Sequence, residues 1–254
     1  MSSRFPIPQV VLNITIIFAL TVFLAGQDIR IELKKPYVRT NYEALSGTIT
    51  FTGSRPKPRR IDASADSFCH EVNPALLVQD AEGNEGRLAN VLVFVESESL
   101  SGYQFRVPTS PAVLDHKGCH YVPRVMGVRV GQPLVILNSD ATMHNTHPLT
   151  QKNPEWNRTQ PPGTPPLVKT FNRPEKLVIF KCNQHPWEKA FVGVFDHPFF
   201  AVSDQQGKFQ IEGLPPGQYR VVAWHERFGE KTVDITFLPG EARELIFDFT
   251  AAER

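Results

Sequence analysis

The chain is poor in sulfur and in net charge. Its 254 residues hold three cysteines and three methionines, and 27 Lys and Arg offset 26 Asp and Glu to a formal charge of +1. A nucleic-acid binder needs a basic face and a clear positive excess, so nucleic acid is excluded as a partner. No internal repeat and no convincing long helix is visible, and 22 prolines break helices while suiting turns and sheet edges. An all-α fold is excluded. The sequence also lacks Gly-x-Ser-x-Gly, His-Glu-x-x-His and a phosphate-binding glycine loop, so the enzyme classes those motifs mark have no support. Hydrophobic residues make up 41% of the chain, enough for a sizeable core and too many for a disordered protein.

One long apolar run is present. Residues 10–25 (VVLNITIIFALTVFLA) follow Arg4, the pattern of a secretory signal, although short for a membrane span. Residues 1–26 are therefore expected to be a cleaved signal or an uncleaved membrane tether. The working compartment is then the periplasm or cell envelope, where disulfides persist.

After Gly26 the apolar residues alternate with period two. Ile49 and Phe51 alternate with threonines, Val233, Ile235 and Phe237 with polar residues, and Leu245, Phe247 and Phe249 do the same. Short strands separated by Gly, Pro, Asp and Asn predict an all-β protein of sandwich type. Residues 153–166 (NPEWNRTQPPGTPP) read as an ordered extended loop.

Residues 203–223 (SDQQGKFQIEGLPPGQYRVVA) carry a turn glycine, a short strand, Gly-Leu-Pro-Pro-Gly and a Tyr-led strand. This order resembles the carboxypeptidase regulatory-like domains, which are small transthyretin-type sandwiches. Gly47–Thr52 (GTITFT) and Leu88–Val95 (LANVLVFV) are similar to that family's opening strands. The resemblance implies a discontinuous sandwich over residues 44–104 and 198–254, interrupted by an insertion over 105–197. The alternative is two consecutive domains.

The insertion holds the chemistry. Asn138-Ser-Asp140 is followed by His144-Asn145, and a later strand delivers Cys182-Asn-Gln-His185-Pro-Trp-Glu188. One thiolate and two imidazoles are the equatorial donors of a blue-copper site, and Cys and His three apart on a tight loop can face one ion. The arrangement resembles the cupredoxins, closest to the amicyanin type, and implies a Greek-key sandwich. It further implies a copper ion on His144, Cys182 and His185, with Asn145 tying the two ligand loops together by hydrogen bonds. The family's axial methionine falls at Glu188, and neither Met126 nor Met143 has the family's position. A carboxylate is a harder donor than a thioether, so zinc is a rival metal if Glu188 ligates; otherwise Glu188 faces solvent. His147, three residues after His144, is a further candidate ligand or a loop histidine.

Two cysteines remain. In an exported protein Cys69 and Cys119 form a disulfide and leave Cys182 as the metal thiolate. His70 and His120 follow those cysteines, and neighbours on strands point to opposite faces and make poor joint ligands. His116, His197 and His225 have no partner at ligand spacing and read as core or surface residues. The basic run Arg55–Arg60 reads as a solvated turn, with docking of an acidic redox partner as the functional alternative. His-x-His pairs, which the resemblance associates with the copper oxidases and nitrite reductases, do not occur. The expected function is non-catalytic, a one-electron carrier serving a redox protein such as a cytochrome or dehydrogenase; copper-dependent catalysis, which needs an open coordination position and a pocket, stays open beside it. The alternative is a structural or docking subunit of an envelope redox assembly with a degenerate or structural metal site.

Overall fold

The computed structural model describes residues 21–24, 27–30, 34–38, 44–78 and 80–251. Most of the apolar segment at residues 10–25 lies outside them; Thr21–Leu24 pairs antiparallel with Gln27–Arg30. Among the described residues no helix is long and apolar enough to cross a membrane.

The described chain is built of strands, with one six-residue helix, Ser67–Val72. In Arg243–Thr250 the alternating Leu245, Phe247 and Phe249 point inward while Glu244, Ile246 and Asp248 point out. That strand lies parallel to Leu45–Thr52 along its whole length, and Lys208–Ile211 flanks the pair. A facing sheet runs Phe200–Val202, Leu92–Glu96, Gly217–His225 and Gly229–Phe237. Between the two sheets Leu45, Ile49, Phe51, Val93, Val95, Val221, Phe237, Phe247 and Phe249 form one apolar core. The outward threonines of the first strand are used as well: Thr50 and Thr52 hydroxyls donate to Asp248 Oδ1 at 2.8 and 3.0 Å.

The second sandwich comes from the intervening chain. One sheet orders Tyr121–Val122, Ala112–His116, Leu134–Asn138 and Leu167–Lys169. The other orders Val125–Arg129, Lys189–Phe195, Glu175–Lys181, His144–Leu149 and Arg158–Gln160. Leu114, Val128, Leu134, Ile136, Val178, Phe180, Val192 and Val194 fill the space between them. The proline-rich stretch at 153–166 differs from the expected loop, because Arg158–Gln160 within it pairs with His144–Thr146.

A third apolar layer joins the two sandwiches. Leu92, Phe94 and Val222 from one meet Val125, Phe191 and Phe195 from the other. Leu92–Glu96 thus buries both faces, Val93 and Val95 inward and Leu92 and Phe94 toward the neighbour. A strand covered on both sides reads as a continuous apolar run. Residues 53–78 leave the first sandwich as an excursion carrying the ribbon Arg59–Arg60 with Leu77–Val78 and the short helix, and the chain is back in the first core at Leu88 and Val91. Its own small core of Ala63, Cys69 and Leu76 includes Cys119 of the second sandwich, with Trp187 packed against it. Within the basic run Arg55 is occupied internally, its guanidinium donating to Ala81 O at 2.6 Å and Asn84 O at 3.0 Å and lying over the Phe51 ring, while Lys57, Arg59 and Arg60 are exposed.

Candidate metal centre

Glu175–Lys181 is an apolar strand whose end passes Cys182 into a tight turn. The Cys182 amide donates to Glu188 O at 3.3 Å and the Glu188 amide to His185 O at 2.9 Å. That closure folds Cys182, His185 and Glu188 back onto one point. His144, the first residue of the adjacent strand His144–Leu149, faces the same point.

The donor atoms of His144, Cys182, His185 and Glu188 all lie within 4.8 Å of one another, and all four residues are buried. Cys182 Sγ is 3.7 Å from His185 Nδ1 and 4.0 Å from His144 Nδ1. The two Nδ1 atoms are 3.0 Å apart, and His144 Nδ1 is 3.1 Å from Glu188 Oε2. Asn145 ties the loops in two ways. Its amide donates to Cys182 Sγ at 3.4 Å, and its Oδ1 accepts from the Asn183 amide at 3.0 Å.

Each imidazole is held from behind by a carboxylate. His144 Nε2 lies 3.0 Å from Asp140 Oδ2, and His185 Nε2 lies 3.1 Å from Asp66 Oδ2. A ring that donates through Nε2 turns the lone pair of Nδ1 inward. Two such nitrogens, a sulfur and a carboxylate then converge in a site without solvent, and Glu188 Oε1 is buried with no hydrogen-bond partner. Converging acceptors of this kind are costly without a cation between them. Without an ion, protons shared among the same atoms offset these charges. Burial opposes charge on every member, yet hydrogen bonds from His116 and His144 hold Glu188 well below the usual carboxylate range. Likewise, bonds to His144 and His185 lower the Cys182 thiol despite its burial. His144 is raised against its burial by Asp140, Cys182 and Glu188. The donor set therefore fits a divalent transition metal: one soft thiolate, two imidazoles and one carboxylate.

Several expectations are corrected here. Glu188 does not face solvent; it is fully buried. His147 is not part of the cluster, since residues three apart on a strand point to opposite faces, and its Nε2 bonds Glu155 instead. Met126 packs against the insertion's core and Met143 is exposed. His70 lies on the helix and Cys119 in a turn with φ of 60°, so the strand argument applied to them does not hold. The expected bridge is present: Cys69 and Cys119 form a disulfide with a Cα–Cα distance of 5.7 Å.

His116 was set aside on sequence as lacking a partner, and it has several. It is fully buried and stacks on His144 with centroids 4.5 Å apart. Its Nδ1 lies 3.0 Å from Glu188 Oε2 and its Nε2 3.0 Å from Thr146 Oγ1. A signal was present: in the strand Ala112–His116 the alternation of Ala112, Leu114 and His116 places a histidine on the apolar face. Asp66 gave no such signal.

A family model described as the carboxypeptidase regulatory-like domain matches residues 178–251, under a third of the chain. Its first part covers Lys189–Phe195, which in the structure belongs to the five-stranded sheet of the other sandwich. None of the curated proteins compared matches. Among solved structures, a copper-containing nitrite reductase from Thermus scotoductus SA-01 aligns at 19% identity and a TM-score of 0.33, over 36% of this chain. The aligned part spans about a quarter, 24%, of that reductase chain. A purple cupredoxin from Nitrosopumilus maritimus aligns at 19% identity and a TM-score of 0.29, over 33% of this chain and 99% of its own. An amicyanin variant in the Cu(I) form aligns at 22% identity and a TM-score of 0.30, over 41% of this chain and 98% of its own. The fold is all-β, two sandwiches packed together, and residues 178–251 are similar to the carboxypeptidase regulatory-like domain. The roles of individual residues rest on the geometry above and not on these likenesses.

Proposed function

We propose that the protein is an exported copper-binding electron carrier, with His144, Cys182, His185 and Glu188 as the ligands. The convergence of Sγ, two Nδ1 atoms and a carboxylate oxygen on one buried point carries this reading. Copper bound there supplies a one-electron couple. The protein's own part is to fix the donors: Asn145 joins the two ligand loops, and Asp66 and Asp140 orient the rings. Residues 44–104 and 198–254 form the regulatory-like sandwich in this reading, and residues 105–197 the copper module. Export to a periplasmic or envelope location is supported by the apolar residues 10–25 and by the disulfide. A redox protein such as a cytochrome or dehydrogenase is the natural partner of a carrier without chemistry of its own. Addition of Cu(II) should give an intense thiolate-to-copper absorption that Cys182→Ala abolishes. Retention of that colour in the variant would refute the assignment.

One observation favours a second reading, a structural metal site in a docking subunit. His185 is only 3% exposed beneath the excursion that carries the short helix, so no ligand edge reaches solvent freely. A metal that binds tightly yet cannot be reduced and reoxidised reversibly, or zinc found in protein purified without added metal, would support this second reading.

A further inference from the structure

Two further groups of potential donors flank the centre: Asp66, Cys69 and His185 on one side, Cys119, Asp140 and His144 on the other. Neither is a second metal site, because both sulfurs are consumed in the Cys69–Cys119 bridge. What remains of each group is a carboxylate on the outer nitrogen of an imidazole that belongs to the central cluster.

The two carboxylates are built alike. Asp66 caps the helix Ser67–Val72, and its Oδ1 accepts from the Cys69 amide at 3.0 Å. Its Oδ2 meets His185 Nε2 and accepts from the Thr142 hydroxyl at 2.7 Å. Asp140 accepts from the Gly118 amide at 2.6 Å through Oδ1 and from the Cys119 amide at 2.8 Å through Oδ2, the same oxygen that meets His144 Nε2. Gly118 and Cys119 both have positive φ, 65° and 60°, and successive residues of this kind turn adjacent amides toward an anion. For Cys119 that conformation is costly and must be held by its surroundings. Each half-cystine therefore donates its own amide to the carboxylate that holds one imidazole. The bridge links the two carboxylates across both sandwiches' contributions to the site.

We propose that Asp66 and Asp140 are positioning residues for His185 and His144, and that the Cys69–Cys119 bridge keeps both in place. The carboxylates fix each ring with a proton on Nε2 and with Nδ1 facing the centre, where its lone pair serves an ion once Nδ1 has given up its own proton. Asp66 lies 119 positions from His185 in sequence, and the disulfide clamps its helix to the second sandwich. The affinity part of this proposal rests on the metal-centre reading; the part on ring position and the Nε2 hydrogen bond does not.

The test uses full-length protein labelled with 15N-histidine, read in metal-free buffer by imidazole nitrogen shifts, and then titrated with Co(II), whose thiolate band reports Cys182. In wild type the Nε2 of both His144 and His185 should carry a proton, and its shift should report the hydrogen bond to the carboxylate. Asp66→Ala should alter the His185 nitrogens and leave those of His144, Asp140→Ala should do the reverse, and each should weaken Co(II) binding roughly 10- to 100-fold. Asp66→Asn keeps the helix cap and removes only the charge, so it covers the case in which the alanine variant fails to fold; it should give a smaller change in the same direction. The paired Cys69→Ala/Cys119→Ala substitution should disturb both rings together. If that variant does not fold, opening the bridge in wild type with a phosphine reductant gives the same readout. Unchanged imidazole nitrogen shifts and unchanged affinity in the Asp66 and Asp140 variants would overturn the positioning roles. Rings undisturbed by loss of the bridge would overturn its part. Wild type that binds no Co(II) would instead count against the metal-centre reading, while the nitrogen shifts still decide the positioning.

Discussion

Gly127 and Gly193 are opposite each other in the neighbouring parallel strands Val125–Arg129 and Lys189–Phe195. Together they lower the outer face of the five-stranded sheet at the place where the other sandwich lands. A Cβ on Gly193 would lie 2.8 Å from Leu92, and one on Gly127 would run into the ring of Phe200. Neither position has a positive φ. The need for glycine here is one of space alone.

Gly193→Val should therefore destabilise the protein by about 1–3 kcal/mol, the usual cost of overpacking a closed interface. Urea unfolding followed by Trp fluorescence would measure it. A midpoint equal to that of wild type would mean that the two sandwiches are not packed as closely as described.

The disulfide closes a loop over a sequence separation of 50 residues. Loop-closure entropy assigns such a bridge about 4 kcal/mol of stabilisation. Non-reduced peptide mapping should yield Cys69 joined to Cys119, with Cys182 alone available to alkylation after unfolding. Reductant should lower the urea midpoint accordingly, and an unaffected midpoint would remove the bridge from the account of stability.

The parts of the site that could be read from sequence are those held by short-range geometry. Cys182 and His185 share one turn, and His144-Asn145 follows closely on the apolar strand Leu134–Asn138. Glu188 was recognisable as a departure at a known position, though not whether it turned inward; the turn closed by the Cys182 amide and Glu188 O decides that. Asp66 was not legible, because it reaches His185 only through the excursion and the disulfide. The helix beneath it spans six residues, too few for any periodicity to register. The unbroken apolar run at 91–95 marked a strand but concealed its second partner, the other sandwich.

The contact between Glu188 and His144 bears on the proposed redox role. A carboxylate beside copper stabilises Cu(II) more than Cu(I), since it adds negative charge and a hard donor. Glu188→Met should raise the reduction potential and move the spectrum toward the ordinary blue type. Glu188→Gln, which keeps an oxygen and loses the charge, should fall between. Potentiometric titration of the three proteins tests the order, and a potential indifferent to both substitutions would remove Glu188 from the ligand set.

His197 and His225, both buried and remote from the cluster, predict a loss of stability in mild acid. Each Nδ1 accepts from the backbone amide two residues on, Phe199 at 3.2 Å and Arg227 at 3.2 Å, so protonating that nitrogen breaks the bond. Burial is the main cause that pushes both down to about 4, with Arg129 acting in the same direction on His197 and Arg124, Arg227 and Arg55 on His225. Asp196 and Asp80 oppose the shifts without overcoming them. The unfolded chain titrates near 6.5, so between pH 6.5 and 4 it binds more protons than the folded one. Their contribution is then complete above pH 6.5, falls as the pH drops through this window and levels off below 4. Linkage gives a loss of about 2 kcal/mol per histidine by pH 5. Burial also lowers His116 and His120, while His144 and His185 are raised and contribute with the opposite sign, so the total slope alone is not diagnostic. The difference between wild type and His197→Phe/His225→Phe isolates the pair. Phenylalanine keeps the ring contacts with Phe199 and Phe228 and cannot take a proton. The double variant should lose less stability than wild type between pH 7 and pH 5 in urea titrations. Equal losses in the two proteins would show that these histidines do not govern the acid side of the stability curve.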